Sequence, residues 1–147
     1  GGDLAADPAS GTFRLGEGFD LAATGELQEF LLPRNETFSV VRGKWKFKGN
    51  SSVKIVRDKA TKERYLSVDY GKNGAKTNES ALKLSYTAKT GAFKGSFRAY
   101  SIYTASGGVL KLKKYTIKVS GFVIDGVGEG EATCTNPKGG PWSVTVE

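Results

Sequence analysis

Alternation of apolar and polar residues with a period of two is the feature that most restricts the fold of this chain. The alternation runs from about residue 37 to the C-terminus, and turn-forming residues interrupt it roughly every 8–12 positions. Successive side chains of a β-strand point to opposite faces, so this period predicts strands with one buried and one solvated face. Parallel strands need crossover helices, and the pattern offers none. The sequence therefore predicts an antiparallel, all-β fold.

The turn signals divide the chain into about nine or ten strands. The clearest predicted strands cover residues 41–48, 53–57, 64–70, 81–88, 92–103, 109–119, 121–125, 129–135 and 142–147. Within residues 13–34 short strands are preferred to a helical turn, because Gly25 and Pro33 enclose the only helical pattern. This arrangement predicts an antiparallel β-sandwich, with a closed β-barrel as the alternative.

Two of the predicted strands change the phase of their apolar positions part of the way along. In strand 92–103 the change lies near Arg98 and Ala99, and in strand 109–119 it lies near Lys113 and Lys114. One inserted residue shifts the alternation by one position. A β-bulge or a strong twist is therefore predicted near Arg98 and Ala99, and a β-bulge near Lys113 and Lys114.

The length of 147 residues predicts one domain. Residues 1–12 are small and polar and are predicted to be a linker or a disordered N-terminus, which leaves residues 13–147 as a single β domain. The sequence begins with Gly-Gly and has no methionine, so we expect a fragment of a longer protein or a processed chain.

The residue inventory excludes several kinds of chemistry. The chain has no histidine and one cysteine, Cys134, which excludes Ser-His-Asp and Cys-His catalysis, histidine-ligated metals and an internal disulfide. Glu129 and Glu131 are the closest carboxylates on one strand face, but outward charges at alternate positions are common on solvated strands. We predict a non-catalytic protein without a metal or cofactor. No apolar run reaches the length of a membrane span.

The charge is divided unevenly along the chain. Residues 1–36 carry a net charge of −5, whereas residues 37–147 hold twenty bases and eight acids, a net charge of +12. Such a domain attracts anions, and an acidic polysaccharide, a nucleic acid, an anionic cell surface and its own N-terminal segment remain open as partners. The acidic first quarter and the lack of an RNP-type motif make nucleic acid an unfavoured partner.

Aromatic residues suggest where a ligand binds. Several rings fall on the polar face of their predicted strands, so we expect Tyr65, Tyr100 and Tyr103 to be accessible. An exposed ring beside polar groups suits a sugar, because the ring packs on the C–H face and the polar groups bind the hydroxyls. The core is the favoured alternative for Trp45, whose phase matches that of Phe47. The predicted ligand-binding set is Tyr65, Asp69, Arg98, Tyr100, Tyr103, Trp142 and Trp45.

A run of four motifs carries a family resemblance. In order they are Lys89–Phe97 (KTGAFKGSF), Leu112–Tyr115 (LKKY), Phe122–Gly128 (FVIDGVG) and Pro141–Val146 (PWSVTV). Over residues 81–147 the chain resembles a β-rich module found near the C-termini of large secreted bacterial proteins. The resemblance implies an extracellular appendage of a larger multidomain protein, with polysaccharide or a cell surface as its target.

Together these features predict a non-catalytic carbohydrate-binding module that is secreted or at the cell surface. A β-glucan or hemicellulose-like chain is the favoured ligand, and a structural or adhesive β-sandwich domain without a small ligand is the alternative. We expect binding to depend weakly on salt, because the basic residues Arg42, Lys44, Lys46 and Lys48 alternate with Trp45 and Phe47 as on a solvated strand.

Overall fold

The computed structural model describes residues 10–21, 29–31, 36–41, 44–47, 52–69 and 80–147. These residues form eleven β-strands and no helix. The strands are β1 (Ser10–Leu15), β2 (Glu29–Leu31), β3 (Glu36–Val41), β4 (Lys44–Phe47), β5 (Ser52–Arg57), β6 (Arg64–Asp69), β7 (Lys83–Thr87), β8 (Ala92–Ala105), β9 (Val109–Ile124), β10 (Val127–Thr135) and β11 (Lys138–Val146).

Nine of these strands form one antiparallel sheet in the order β2-β8-β7-β4-β3-β1-β11-β10-β9. β9 also pairs with β8, so the eight strands from β8 to β9 form a closed circle of paired neighbours. β2 pairs with β8 and is not part of this circle. We call the eight strands the closed sheet. β5 and β6 form a separate two-stranded sheet that lies against β9. The prediction of an all-β, antiparallel fold is confirmed.

The core lies inside the closed sheet and is rich in aromatic rings. Trp45 and Tyr86 stack with their planes 6° apart and their centroids 5.1 Å apart, and Phe38 and Phe93 tilt against Trp45. In β7, β9, β10 and β11 the buried residues fall at alternate positions, as the period of two requires. The single cysteine, Cys134, is buried and free, as its phase predicts.

Three predicted strand boundaries are wrong. The predicted strand 41–48 is divided between β3 and β4, which run antiparallel with Val41 opposite Lys44. The predicted strands 109–119 and 121–125 are one continuous strand, β9, because Gly121 stays in the ladder opposite Gly130. β1 begins at Ser10, inside the segment that was predicted to be a linker.

The β-bulge predicted near Lys113 and Lys114 is wrong, and near Arg98 and Ala99 the ladder has no bulge either. β8 and β9 pair without interruption from Ala92 opposite Phe122 to Ala105 opposite Val109. The phase changes because apolar side chains occupy opposite faces in the two halves of this hairpin: Tyr100 is 5% exposed, yet it does not belong to the core of the closed sheet. The register shift occurs instead between β10 and β11, where β11 takes one extra residue at Gly140 and Pro141.

The segment between β1 and β2 closes over one part of the closed sheet. Phe19 packs on Trp142 with the ring centroids 4.4 Å apart, and Leu21 is buried against Gly139. The short strands predicted within residues 13–34 are present where this range is described, as the end of β1 and as β2. Of the residues 26–32 where a helical turn was the alternative, 26–28 and 32 lie outside the described part, and the others form β2. In the described part of the chain, no helix has the length and apolar character needed to cross a membrane.

Candidate functional site

The structure separates the predicted ligand-binding residues into accessible and buried ones. Tyr65 is 48% exposed, Arg98 is exposed and Tyr103 is half-buried. These three residues do not share one surface. Tyr65 is on the small sheet, whereas Arg98 and Tyr103 point to opposite sides of β8. Asp69 belongs to the backbone of β6, but its side chain lies outside the described part of the structure.

The remaining predicted rings are not accessible. Tyr100, which was expected to be exposed, is 5% exposed, because β8 is buried on both faces there, with Ala99 and Ser101 buried on the other side. Trp45 and Trp142 are 4% and 5% exposed, and both belong to the core of the closed sheet. The core alternative for Trp45 is therefore confirmed. None of these three rings offers a face to a sugar.

A different surface gathers polar side chains in register. On β7, β8, β9 and β10, the side chains that point away from the core align across the four strands, and we call this surface the outer face. Its three cross-strand rows are Thr87–Ala92–Phe122–Glu129, Ser85–Lys94–Ser120–Glu131 and Lys83–Ser96–Lys118–Thr133. Strand spacing makes this an area about 15 Å wide and 13 Å long, studded with hydroxyl, amino and carboxylate groups.

Two adjoining depressions cross the outer face. One has a volume of about 630 Å³ and lies around the second and third rows. The other, of about 530 Å³, lies around the first and second rows and includes Phe122. They share Lys94, Ser120 and Glu131, so they form one continuous trough. These volumes fall within the range of small-ligand sites, roughly 300–1,000 Å³, although the trough is open along its length.

Phe122 is the exposed aromatic ring of this face. It is 57% exposed and stands at one end of the trough, beside Glu129 on β10 and Ala92 on β8. Two further exposed apolar residues, Ile124 and Val127, pair with each other at the end of the β9–β10 hairpin. Asp125 and Gly126 join these strands with φ values of 53° and 80°, which are the positive angles of a type I′ turn.

The sequence prediction missed Phe122, Lys94 and Lys118. The signal was present, because Ile117, Val119 and Val123 are buried at odd positions and Phe122 stands at an even one. The prediction broke this strand at residue 120, and the phase was therefore not followed through to Phe122. If the alternation is continued through Gly121 as one strand, it predicts that the ring of Phe122 is exposed.

The two carboxylates of β10 stand on an open surface. Glu129 and Glu131 are two positions apart on one face, about 6.5–7 Å by strand geometry, and both are exposed. A glycosidase acid is shielded from water, whereas these two stand on an open surface. Among the described residues, no group of three or more acidic or cysteine side chains is placed to hold a metal ion.

No protein-family model, no curated protein and no solved structure matches this chain. The candidate site therefore depends on its own geometry and on the chemistry of its residues.

Proposed function

We propose that the protein is a non-catalytic carbohydrate-binding domain that holds a polysaccharide along the trough of the outer face. The observation that carries this proposal is the alignment of Phe122 with two rows of hydroxyl and charged groups along one open trough. An open trough on the surface of a sheet suits a chain bound at an internal position better than an enclosed pocket does.

The side chains of the trough suit a sugar chain chemically. A flat aromatic ring packs against the C–H face of a pyranose, and an exposed phenylalanine on a rigid strand loses little conformational entropy when it does so. Ser120 and Thr133 both donate and accept hydrogen bonds, and Lys94 and Glu131 supply the charged donors and acceptors that sugar hydroxyls bind well.

The resemblance of residues 81–147 to modules of large secreted bacterial proteins supports an extracellular place for this domain, attached to a larger protein. The outer face lies within that part of the chain, since β7 to β10 cover residues 83–135. A binding face within an appendage would keep its parent protein near a polysaccharide or a cell surface.

A second candidate is an adhesive domain without a sugar ligand. It is favoured by the apolar end of the β9–β10 hairpin, where Ile124 is 66% and Val127 37% exposed next to Phe122. An exposed apolar cluster on a small domain often marks a contact with another protein.

Affinity electrophoresis against soluble β-glucan, xylan, mannan and polyuronate distinguishes the two candidates. We expect retardation by at least one polymer, and its loss in Phe122→Ala. Ile124→Ala is the matched control, because it removes an equally exposed apolar side chain from the same strand and face without removing a ring. Equal weakening by both variants would extend the sugar-binding surface to the apolar end of the β9–β10 hairpin. No retardation by any polymer would overturn the carbohydrate proposal and leave the adhesive candidate.

Tyr65→Ala is a second comparison, because Tyr65 belongs to the set predicted from the sequence and lies on the small sheet. Loss of binding in Tyr65→Ala with retention in Phe122→Ala would move the site from the outer face to the small sheet. Both residues are exposed, so neither substitution should lower the melting temperature by more than about 2 °C.

A further inference from the structure

Ser96 lies at the centre of a cross formed by four cationic side chains. Lys94 and Arg98 precede and follow it by two positions on β8, while Lys83 of β7 and Lys118 of β9 are its two cross-strand partners. By strand geometry the cross-strand pair lies about 5 Å from Ser96 and the pair on β8 about 6.5–7 Å away, measured between Cβ atoms. All four cations are exposed, and Ser96 is half-buried between them.

The cross lies beside the trough. Lys94, Ser96 and Lys118 line the larger depression, together with the hydroxyl-bearing residues Ser120 and Thr133. Ser85 Oγ donates to the main-chain oxygen of Lys94 at 3.3 Å, which ties β7 to β8 at this place. The cations are therefore carried by paired strands rather than by a loop.

In the described part of the chain, none of the four cations forms an ion pair with a carboxylate. Among the residues that the structure describes, the ion pair that forms is Arg14 with Glu147, 3.1 Å apart on the opposite side of β11. Four like charges around one hydroxyl repel one another, although water and salt screen much of that repulsion. An anion placed at Ser96 gains attraction from all four and removes the mutual repulsion.

We propose that the depression around Ser96 binds carboxylate or sulfate groups of an acidic polysaccharide. This inference rests on the proposed function of the outer face and names the class of its ligand. The sequence alone favours a neutral β-glucan or hemicellulose-like ligand, and the anionic polysaccharide replaces that prediction. Residues 94–98 and Lys118 are too far apart in the sequence to be recognised there as one cluster.

The other side chains of the trough favour a polysaccharide over a nucleic acid. Glu131 lines the same depression as Lys94 and Lys118, and Glu129 lies next to Phe122. A nucleic acid carries a charge on every nucleotide and would be repelled at these carboxylates, whereas a sugar chain can place neutral hydroxyl groups there. Single-stranded nucleic acids are also bound by several stacking rings, and the described outer face offers Phe122 alone.

The test compares two chemically matched polymers by affinity electrophoresis at about 50 mM and about 500 mM NaCl. Carboxymethylcellulose carries the anions, hydroxyethylcellulose is the neutral counterpart, and a labelled oligothymidylate is the nucleic-acid probe. Lys94→Gln/Lys118→Gln removes two arms of the cross. Lys59→Gln/Lys138→Gln removes the same charge from exposed positions outside the outer face and is the matched control. Thermal melting verifies that each variant is folded.

We expect tighter binding to carboxymethylcellulose than to hydroxyethylcellulose, weakened by the higher salt. We expect Lys94→Gln/Lys118→Gln to lower that affinity about tenfold or more and the control to change it by no more than about twofold. Equal loss in the control would show general charge attraction and overturn the site.

Equal binding of both cellulose derivatives, unchanged in Lys94→Gln/Lys118→Gln, would overturn the anion site and leave the proposed function in place. Tighter binding of oligothymidylate than of either polymer would overturn the polysaccharide assignment. If no polysaccharide of either panel is bound, the proposed function and this inference both fail.

Discussion

The indole Nε1 of Trp142 donates a hydrogen bond to Oδ1 of Asp20 at a distance of 2.9 Å, although the two residues are 122 positions apart in the sequence. Trp142 belongs to β11 and to the core of the closed sheet, while Asp20 is exposed in the segment that follows β1. Phe19 packs at a tilt against the same indole and Leu21 is buried beside it. One side chain of β11 therefore holds three successive residues of the N-terminal part in place.

Asp20→Ala should destabilise the domain by about 1 kcal/mol, because the buried indole loses its acceptor and water replaces it in part. For a chain of this size, this corresponds to a fall in melting temperature of about 3 °C. Urea denaturation followed by tryptophan fluorescence measures the change. Glu17→Ala, in the same segment and also exposed, is the control and should stay within about 0.5 kcal/mol of the wild type. Equal stability of the two variants would contradict a role for the hydrogen bond.

Tyr100→Ala should lower stability by about 3 kcal/mol or more, because it empties the space of a buried ring. The sequence alone predicted the reverse, a loss of ligand binding with an unchanged melting temperature. Tyr65→Ala is the comparison, since its ring is 48% exposed and its loss should cost no more than about 0.5 kcal/mol. Thermal melting of both variants decides between the two expectations, and an unchanged melting temperature for Tyr100→Ala would return Tyr100 to the candidate site.

Gly121→Ala should destabilise the domain by about 1–3 kcal/mol or more, since the added methyl group overlaps main-chain atoms that cannot turn away. An ideal Cβ at this position would run into the carbonyl oxygen of Glu129 and would lie 2.7 Å from the Cα of Gly130. Gly107→Asn is the contrast, because Gly107 has a φ of 81° with open space around it and asparagine tolerates that region. Chemical denaturation should separate the two variants by at least about 1 kcal/mol, and similar stabilities would contradict the close approach of β9 and β10.

The turn between β5 and β6 should lose stability at acidic pH. The main-chain N–H groups of Thr61 and Ala60 both donate to Oδ1 of Asp58 at 2.8 Å, which lowers the pKa of that carboxyl from its ordinary value of 3.8. A carboxyl with a lowered pKa in the folded state contributes its stabilisation fully above the ordinary value and loses it as the pH falls through the lower one. We expect the carboxyl carbon of Asp58 to titrate below pH 3.8 by NMR. A midpoint at or above 3.8 would contradict the two hydrogen bonds.

The sequence predicted the fold class well, because alternation depends on local geometry. Leu82, Leu84 and Tyr86 alternate with polar neighbours and are buried as predicted. The division of 41–48 into two strands was not predictable from this signal, since the alternation of Lys44, Trp45 and Lys46 is equally compatible with one longer strand. Alternation places a side chain on a face, but it does not show where a chain reverses at a short connection.

The candidate site was predicted less well, for a reason that concerns long-range pairing. A residue outside the apolar phase of its strand points away from the core, and it is exposed only where that outward face of the strand meets water. Tyr100 is outside that phase and is nevertheless buried, whereas Phe122 is outside it and exposed. The four cations around Ser96 come from three strands, and their proximity depends on the registers of β7, β8 and β9. No pattern within a single strand contains that information.

The uninterrupted ladder of β8 and β9 runs from a half that is buried on the core face to residues 99–101, where both faces of β8 are buried. The fold therefore constrains whether the number of residues added to each strand is even or odd, and constrains the total length of the hairpin less. Lengthening both strands midway by two residues each would slide the far half outward by about 6.5–7 Å and keep every side chain on its present face. Lengthening both by one residue would turn that half over, so that lysines such as Lys111 and Lys113 would exchange sides with Leu110 and Leu112. Insertions in this hairpin should accordingly be tolerated in even steps and rejected in odd ones.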